Sequence, residues 1–189
     1  MGQYQAMVVG VSAGAVEALS SLFSGLPGDF PLSTCVVVHL PPDKDSVLPE
    51  LLQMHTTLAV KEAEDKEPME AGTVYIAPPD YHLQVEPDHS LSLSAEAPVL
   101  FSRPSVDVLF ETAAEAFGEG LIGVVLTGAS SDGARGLRKV IDCGGRGIVQ
   151  QPKDAHAPTM PQAAIALCPE AEVLALKDIA ATLYEMVGL

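Results

Sequence analysis

The sequence predicts an α/β fold: a doubly wound, mainly parallel sheet with helices on both faces and a small antiparallel meander. Short apolar runs rich in β-branched residues alternate with stretches of helical period, the signature of a parallel sheet covered on both sides. Between residues 73 and 94 three short runs separated by polar turns break that alternation and supply the meander. The chain has 189 residues, 48% of them hydrophobic, which suits one domain that buries about 70% of its unfolded surface.

Taken in order, Met7 to Val11 reads as a buried strand. Ala15 to Ser24 follows as a helix with Val16, Leu19, Leu22 and Phe23 on one face, ended by Leu26-Pro27-Gly28. Thr34 to Val38 is a β-branched strand, and a helix runs from about Ser46 to Met54 after Pro41-Pro42. The charged stretch Lys61 to Glu67 reads as a solvated loop. Thr73 to Ala77, His82 to Glu86 and Leu91 to Ser94 form the expected meander. The strongest helix is Ser105 to Phe117, with Val106, Leu109, Phe110, Ala113, Ala114 and Phe117 in one stripe. Ser105 can cap it and Asp107 suits its positive end. Leu121 to Leu126 is a buried strand, Gly133 to Asp142 a helix stopped by Gly144-Gly145, and Gly147 to Gln150 a short strand. Thr159 to Leu167 and Asp178 to Met186 are helices, with a strand near Glu172 to Leu176 between them.

Composition narrows the function. The formal charge is -15, and such a surface repels nucleic-acid phosphates. No apolar run approaches the roughly 20 residues of a membrane helix, and no secretory signal pattern is present. The start, Met1 to Ala6, lacks the Ser or Thr of a myristoylation site. Cys35, Cys143 and Cys168 have no ligand spacing and read as reduced thiols of a cytosolic protein. His55, His89 and His156 likewise lack partners at ligand spacing, so neither a metal nor a cofactor is expected.

In open parallel sheets the active site lies at the carboxyl ends of the strands. Ser12 follows the first strand, in Gly10-Val11-Ser12-Ala13-Gly14; His39 ends the second; "GVVLTG" leads into Ala129-Ser130-Ser131-Asp132. A serine needs a base within hydrogen-bond reach, imidazole can supply it, and a carboxylate can fix the imidazole tautomer. The N–H of Ala13 is the expected oxyanion donor. Each part has a plainer reading: an ordinary βα turn, a histidine closing a strand, an aspartate in a turn. A phosphate-binding loop is disfavoured, because neither G-x-G-x-x-G nor Gly-Lys-Ser/Thr is present. The order Ser, His, Asp differs from that of α/β-hydrolases.

The stretches "GVSAGAVEAL", "VVVHLPP", "VKEAEDKEPMEAGTVYIAPPDYHL", "RPSVDVLF" and "GVVLTGASSDGARGL" resemble the catalytic domain of the chemotaxis protein-glutamate methylesterase family over nearly the whole chain. The resemblance implies the doubly wound fold and hydrolysis of methyl esters on chemoreceptor glutamates, with deamidation of receptor glutamines in many members. It places the nucleophile on Ser12, the base on His39 and the aspartate on Asp132. It also implies methylated cytoplasmic receptor helices as partners, a cytoplasmic location, and no nucleic acid or membrane insertion.

The sequence departs from the family at the site. The usual Thr after the nucleophile is Ala13, the usual Met of "TGMG" is Ala129 and the following Gly is Ser130; a further Gly is Ala15. A backbone N–H survives the change to Ala13 and a hydroxyl does not, so activity is expected to persist, at a reduced rate or shifted toward another ester. An idle domain kept as an interaction module of a chemosensory complex is the alternative. Arg103, before the strong helix, is the candidate substrate contact; His82 reads as structural or rim. Residues 1–189 are expected to form one methylesterase catalytic domain, with no receiver domain in this chain. A separate receiver protein is then one expected means of control.

Overall fold

A computed structural model describes residues 4–39 and 47–188. Seven strands form one parallel sheet: β1 (Ala6–Val11), β2 (Ser33–Val38), β3 (Ala59–Glu62), β4 (Thr73–Ile76), β7 (Leu121–Val125), β8 (Arg146–Gln150) and β9 (Glu172–Leu174). Their order is β3-β4-β2-β1-β7-β8-β9. From β1 the chain adds β2, then the edge strand β3 and β4 between them, before it crosses to β7 and builds outward on the other side. The switch point lies between β1 and β7, where such sheets open a crevice at their carboxyl ends.

β1 and β2 are buried at every position, and so is β7. That is why they read as continuous apolar runs rather than as alternating ones. Alternate residues still choose faces. Met7, Val9 and Val11 join the core under α1 (Ala15–Ser24), α2 (Leu48–Gln53) and α6 (Leu176–Met186); Ala6 and Val8 join the core under α3 (Val106–Phe117), α4 (Ala134–Asp142) and α5 (Thr159–Leu167). Each buried Leu or Phe adds roughly 1.5–3 kcal/mol of transfer free energy. No helix among the described residues is long and apolar enough to cross a membrane.

The expected meander is only a hairpin. β5 (His82–Val85) and β6 (Leu91–Ser94) pair antiparallel, but Thr73–Ile76 is β4, parallel between β2 and β3. Its residues Val74, Tyr75 and Ile76 are buried, which marks a central strand and not a hairpin arm. Part of the charged stretch expected as a loop is β3, the sheet's edge; Lys61 and Glu62 belong to it, and Lys61 pairs with Glu64 and Glu67. Polar side chains suit an edge, which must discourage further pairing. In α1 the buried face is Ala15, Ala18, Leu19, Leu22 and Phe23, while Val16 is exposed; at 100° past Ala15 it falls at the edge of the apolar arc. The expected start of the Ser46 helix, and Pro41-Pro42, lie outside the described residues, as do Met1–Gln3.

Two glycines let α3 reach the switch point. A Cβ on Gly10 would stand 2.3 Å from Val106 Cγ1, and one on Gly133 (φ 106°) would stand 2.8 Å from the same atom. The first turn of α3 is thereby wedged between the end of β1 and the start of α4.

Candidate active site

The register of the sheet sets two of the candidates side by side. Val11 pairs with Val38 at the ends of β1 and β2, and the His39 N–H donates to the Val11 carbonyl at 3.3 Å. Ser12 and His39 thus leave adjacent strands together. On the other flank of Ser12, its N–H donates to Thr127 O at 2.9 Å. Gly128 lies so close that a Cβ there would be 3.0 Å from Ser12 Cβ. The Thr127 hydroxyl donates to Ala13 O at 2.9 Å, and the Thr127 N–H donates to Gln150 Oε1. Thr127 holds the turn that carries Ser12, a role no local motif announces. Among the described residues neither the Ser12 hydroxyl nor the Ala13 N–H makes a hydrogen bond.

Asp132, fully buried, reaches the site from the loop between β7 and α4. His39 Nε2–H donates to its Oδ2 at 2.7 Å. The same carboxylate caps α3: the Val106 N–H donates to Oδ2 at 2.7 Å, and the Asp107 N–H and Ser105 hydroxyl donate to Oδ1, both at 2.9 Å. Burial pushes this carboxyl up, yet the hydrogen bonds from His39, Asp107 and Val106 and the nearby His39 charge outweigh it and hold Asp132 below the ordinary range. An ionised Asp132 fixes His39 with its proton on Nε2, which leaves Nδ1 as the ring's lone-pair nitrogen. Ser130 accepts the Asp132 N–H on its hydroxyl at 3.1 Å and steadies the same loop.

Behind Asp132 lies a second layer. His82 is buried; its Nδ1 accepts the Ser105 N–H at 3.1 Å and its Nε2–H donates to Ala97 O at 3.0 Å. His82 therefore sets Ser105, which sets Asp132, which sets His39. Asp107 does not serve the start of its own helix. Its Oδ1 accepts N–H bonds from Gly133 and Gly136 at the start of α4, at 2.9 and 2.7 Å. Each helix is capped by an aspartate from the other's neighbourhood.

Arg103 stands in the wall of a cleft of about 160 Å³ beside His39, with Asp80, Pro98 and Pro104. Its guanidinium donates to Asp80 Oδ1 at 2.7 Å and to the carbonyls of Ala95 and Glu96 at 3.1 and 3.0 Å. Ala129 is exposed on the loop after β7. Burial pushes the Cys35 thiol well up and the Cys168 thiol up to about 11, so neither presents a thiolate at neutral pH. His89 stacks on Phe117, and the His156 side chain packs against Gly14.

Comparison with known proteins places the fold and the sequence together. Residues 7–183 match the family model described as CheB methylesterase. A Leptospira interrogans protein is 45% identical over 177 residues, which cover 94% of this chain and 92% of that one. The protein-glutamate methylesterase/protein-glutamine glutaminase of Symbiobacterium thermophilum is 34% identical over 182 residues, 96% of this chain and 50% of that one. The crystal structure of the Thermotoga maritima CheB methylesterase catalytic domain superposes with a TM-score of 0.92 at 34% identity, covering 97% of this chain and 99% of that one. Fold and sequence agree from the first strand to the last helix, and the chain belongs to the CheB methylesterase family.

Proposed function

We propose that the protein is a serine hydrolase that removes methyl esters from glutamate side chains of chemoreceptors and, by the same chemistry, deamidates receptor glutamines. The observation that carries this is the part-buried 2.7 Å bond from His39 Nε2 to Asp132 Oδ2, with His39 and Ser12 leaving adjacent strands at the switch point of a CheB-family fold. Ser12 Oγ attacks the ester carbonyl while His39 Nδ1 takes its proton. The oxyanion settles on the Ala13 N–H, a contact worth about 3 kcal/mol of barrier. His39 returns the proton to the departing methoxide, and methanol leaves a glutamyl ester on Ser12. Water then attacks that ester, His39 again moves the proton, and glutamate and free Ser12 are restored. With an amide substrate the first leaving group is ammonia. Asp132 stays ionised throughout and stabilises the imidazolium. The loss of the family's Thr at Ala13 removes a hydroxyl and leaves the N–H donor. The site of action is the cytoplasm, and a separate receiver protein is the proposed control.

The test is methanol release from a methyl-esterified chemoreceptor fragment by wild type and by Ser12→Ala. The expected fall in kcat is about 10⁴-fold or more. Equal release by both proteins would remove Ser12 from the mechanism, and no release by folded wild type would leave the domain an interaction module.

A further inference from the structure

The rim of the His39 cleft carries a feature that the chemistry above does not use. Val99 and Ser102 pair across a two-residue turn, with N–H···O bonds of 3.0 and 2.9 Å in the two directions. The residues at its tip are Leu100 (φ 46°) and Phe101 (φ 65°). Positive φ at both central positions is the pattern of a type I′ turn, which favours Asn-Gly and disfavours large L side chains. The same two side chains are exposed, Leu100 at 49% and Phe101 completely. A turn that is strained and apolar in water stabilises nothing within the fold, so the tip is shaped for contact with something else.

Position and charge select the partner. The tip directly precedes Ser102, Arg103 and Pro104, and Phe101 itself lines the cleft with them and His39, so the tip stands at the rim beside the proposed base. One Phe and one Leu cover far less than the roughly 800 Å² per partner that a stable homodimer needs. The charge of -15 opposes an anionic membrane surface. It also opposes a glutamate-bearing polypeptide at long range. Arg103 offers little compensation, because Asp80 neutralises it. Affinity for such a substrate must then come from short-range apolar contact.

We propose that Leu100 and Phe101 are an apolar anchor for the polypeptide substrate: a helical segment whose apolar side chains, about one turn from the reacting glutamyl ester, pack on the tip. This rests on the esterase reading above and extends it to substrate recognition.

The test compares wild type with Phe101→Ser and with the double variant Leu100→Asn/Phe101→Gly, whose residues suit the turn and keep the fold. Three quantities are measured: kcat and KM for a methyl-esterified receptor fragment, kcat/KM for glutamate γ-methyl ester as a small substrate, and Tm. For the fragment, KM should rise about tenfold or more in both variants with little change in kcat. The loss on the fragment should exceed that on the small ester at least tenfold, and the double variant should melt at or above the wild-type Tm. Equal losses on the two substrates, or a fragment KM within twofold of wild type, would overturn the anchor. If wild type hydrolyses neither substrate, the esterase reading fails, and binding of the fragment to Ser12→Ala with and without Phe101→Ser still decides. Binding at least tenfold weaker keeps the anchor, and equal binding rejects it. A wild-type dimer, or vesicle binding, that is lost in both variants would instead assign the tip to a second copy or to lipid.

Discussion

His39 shows how much of a site's chemistry is settled by one hydrogen bond. With Nε2–H committed to Asp132 Oδ2 at 2.7 Å, the ring has one basic nitrogen left, Nδ1, which the proposed mechanism uses as the base for Ser12. Asp132 can impose this because every neighbour of its carboxylate is a donor: His39, Ser105 and the N–H groups of Val106 and Asp107. Asp132→Asn breaks that pattern. An amide has one acceptor oxygen and brings two N–H donors into a ring of donors. If the NH₂ faces His39, the ring must protonate on Nδ1 and cannot accept from Ser12; if it faces α3, backbone N–H groups lose their acceptor. A fall in kcat of about 10³–10⁴-fold is expected, with about 3 kcal/mol less stability for the disrupted buried network, read from methanol release and urea unfolding. A kcat within tenfold of wild type would mean that His39 keeps its tautomer by other means. Because the Asp132 carboxyl is held low, the stability it contributes is present at and above the ordinary carboxylate range. It is lost only as pH falls below that range. The candidates Ser12, His39 and Asp132 could be picked out because each lies in a segment that follows a strand the sequence displays openly. Ser105, His82 and Thr127 were not. Ser105 meets Asp132 across 27 residues and His82 meets Ser105 across 23, so no local pattern joins them. His82, read as structural or rim, proved buried and linked to the site through Ser105.

At the scale of elements, the crossed caps of α3 and α4 govern the loop that holds Asp132. Asp107 accepts two N–H bonds from α4, but its Oδ2 is buried without a partner among the described residues. Burial pushes the Asp107 carboxyl up; the Gly136 and Gly133 N–H bonds oppose that and the nearby Asp132 and Glu111 charges add to it, leaving it at about 6. A carboxyl raised on folding binds more protons in the native than in the unfolded state between the two pKa values. Stability therefore falls as pH rises from about 4 through about 6, by about 3 kcal/mol in all, and is level beyond. Asp107→Asn keeps an acceptor oxygen for Gly133 and Gly136 and removes the charge. Urea unfolding at pH 5 and pH 8 should show this dependence in wild type and lose it in the variant, with the variant at least as stable at pH 8. An unchanged slope would place the titration elsewhere. The elements that sequence showed well are those whose faces are uniformly buried, β1, β2 and β7, or cleanly striped, α3. β3 escaped notice because an edge strand keeps polar side chains. β4 was assigned to the meander because it precedes a hairpin in the chain, although its partners β2 and β3 both come earlier.

Over the whole molecule, charge decides how the cleft meets a substrate. The net value of -15 is accompanied, among the described residues, by pairing of six cations, Lys61, Arg103, Arg135, Arg138, Lys139 and Arg146, with carboxylates. A methylated receptor segment is itself rich in glutamate on the proposed function, so approach is uphill until contact is made. The screening length shrinks from about 30 Å at 0.01 M salt to about 8 Å at 0.15 M, which is enough to remove most of that repulsion while leaving apolar contacts and buried hydrogen bonds in place. Raising salt over this range should therefore increase kcat/KM for the receptor fragment several-fold, with the gain in KM and not in kcat. A small methyl ester without net charge should show no such change, which controls for effects of salt on the Ser12–His39 chemistry itself. Stopped assays of methanol release at both salt concentrations measure the difference. A fall in kcat/KM with salt would reverse the picture: it would mean that attraction at the cleft, with Arg103 released from Asp80 toward the substrate, outweighs the charge of the molecule as a whole.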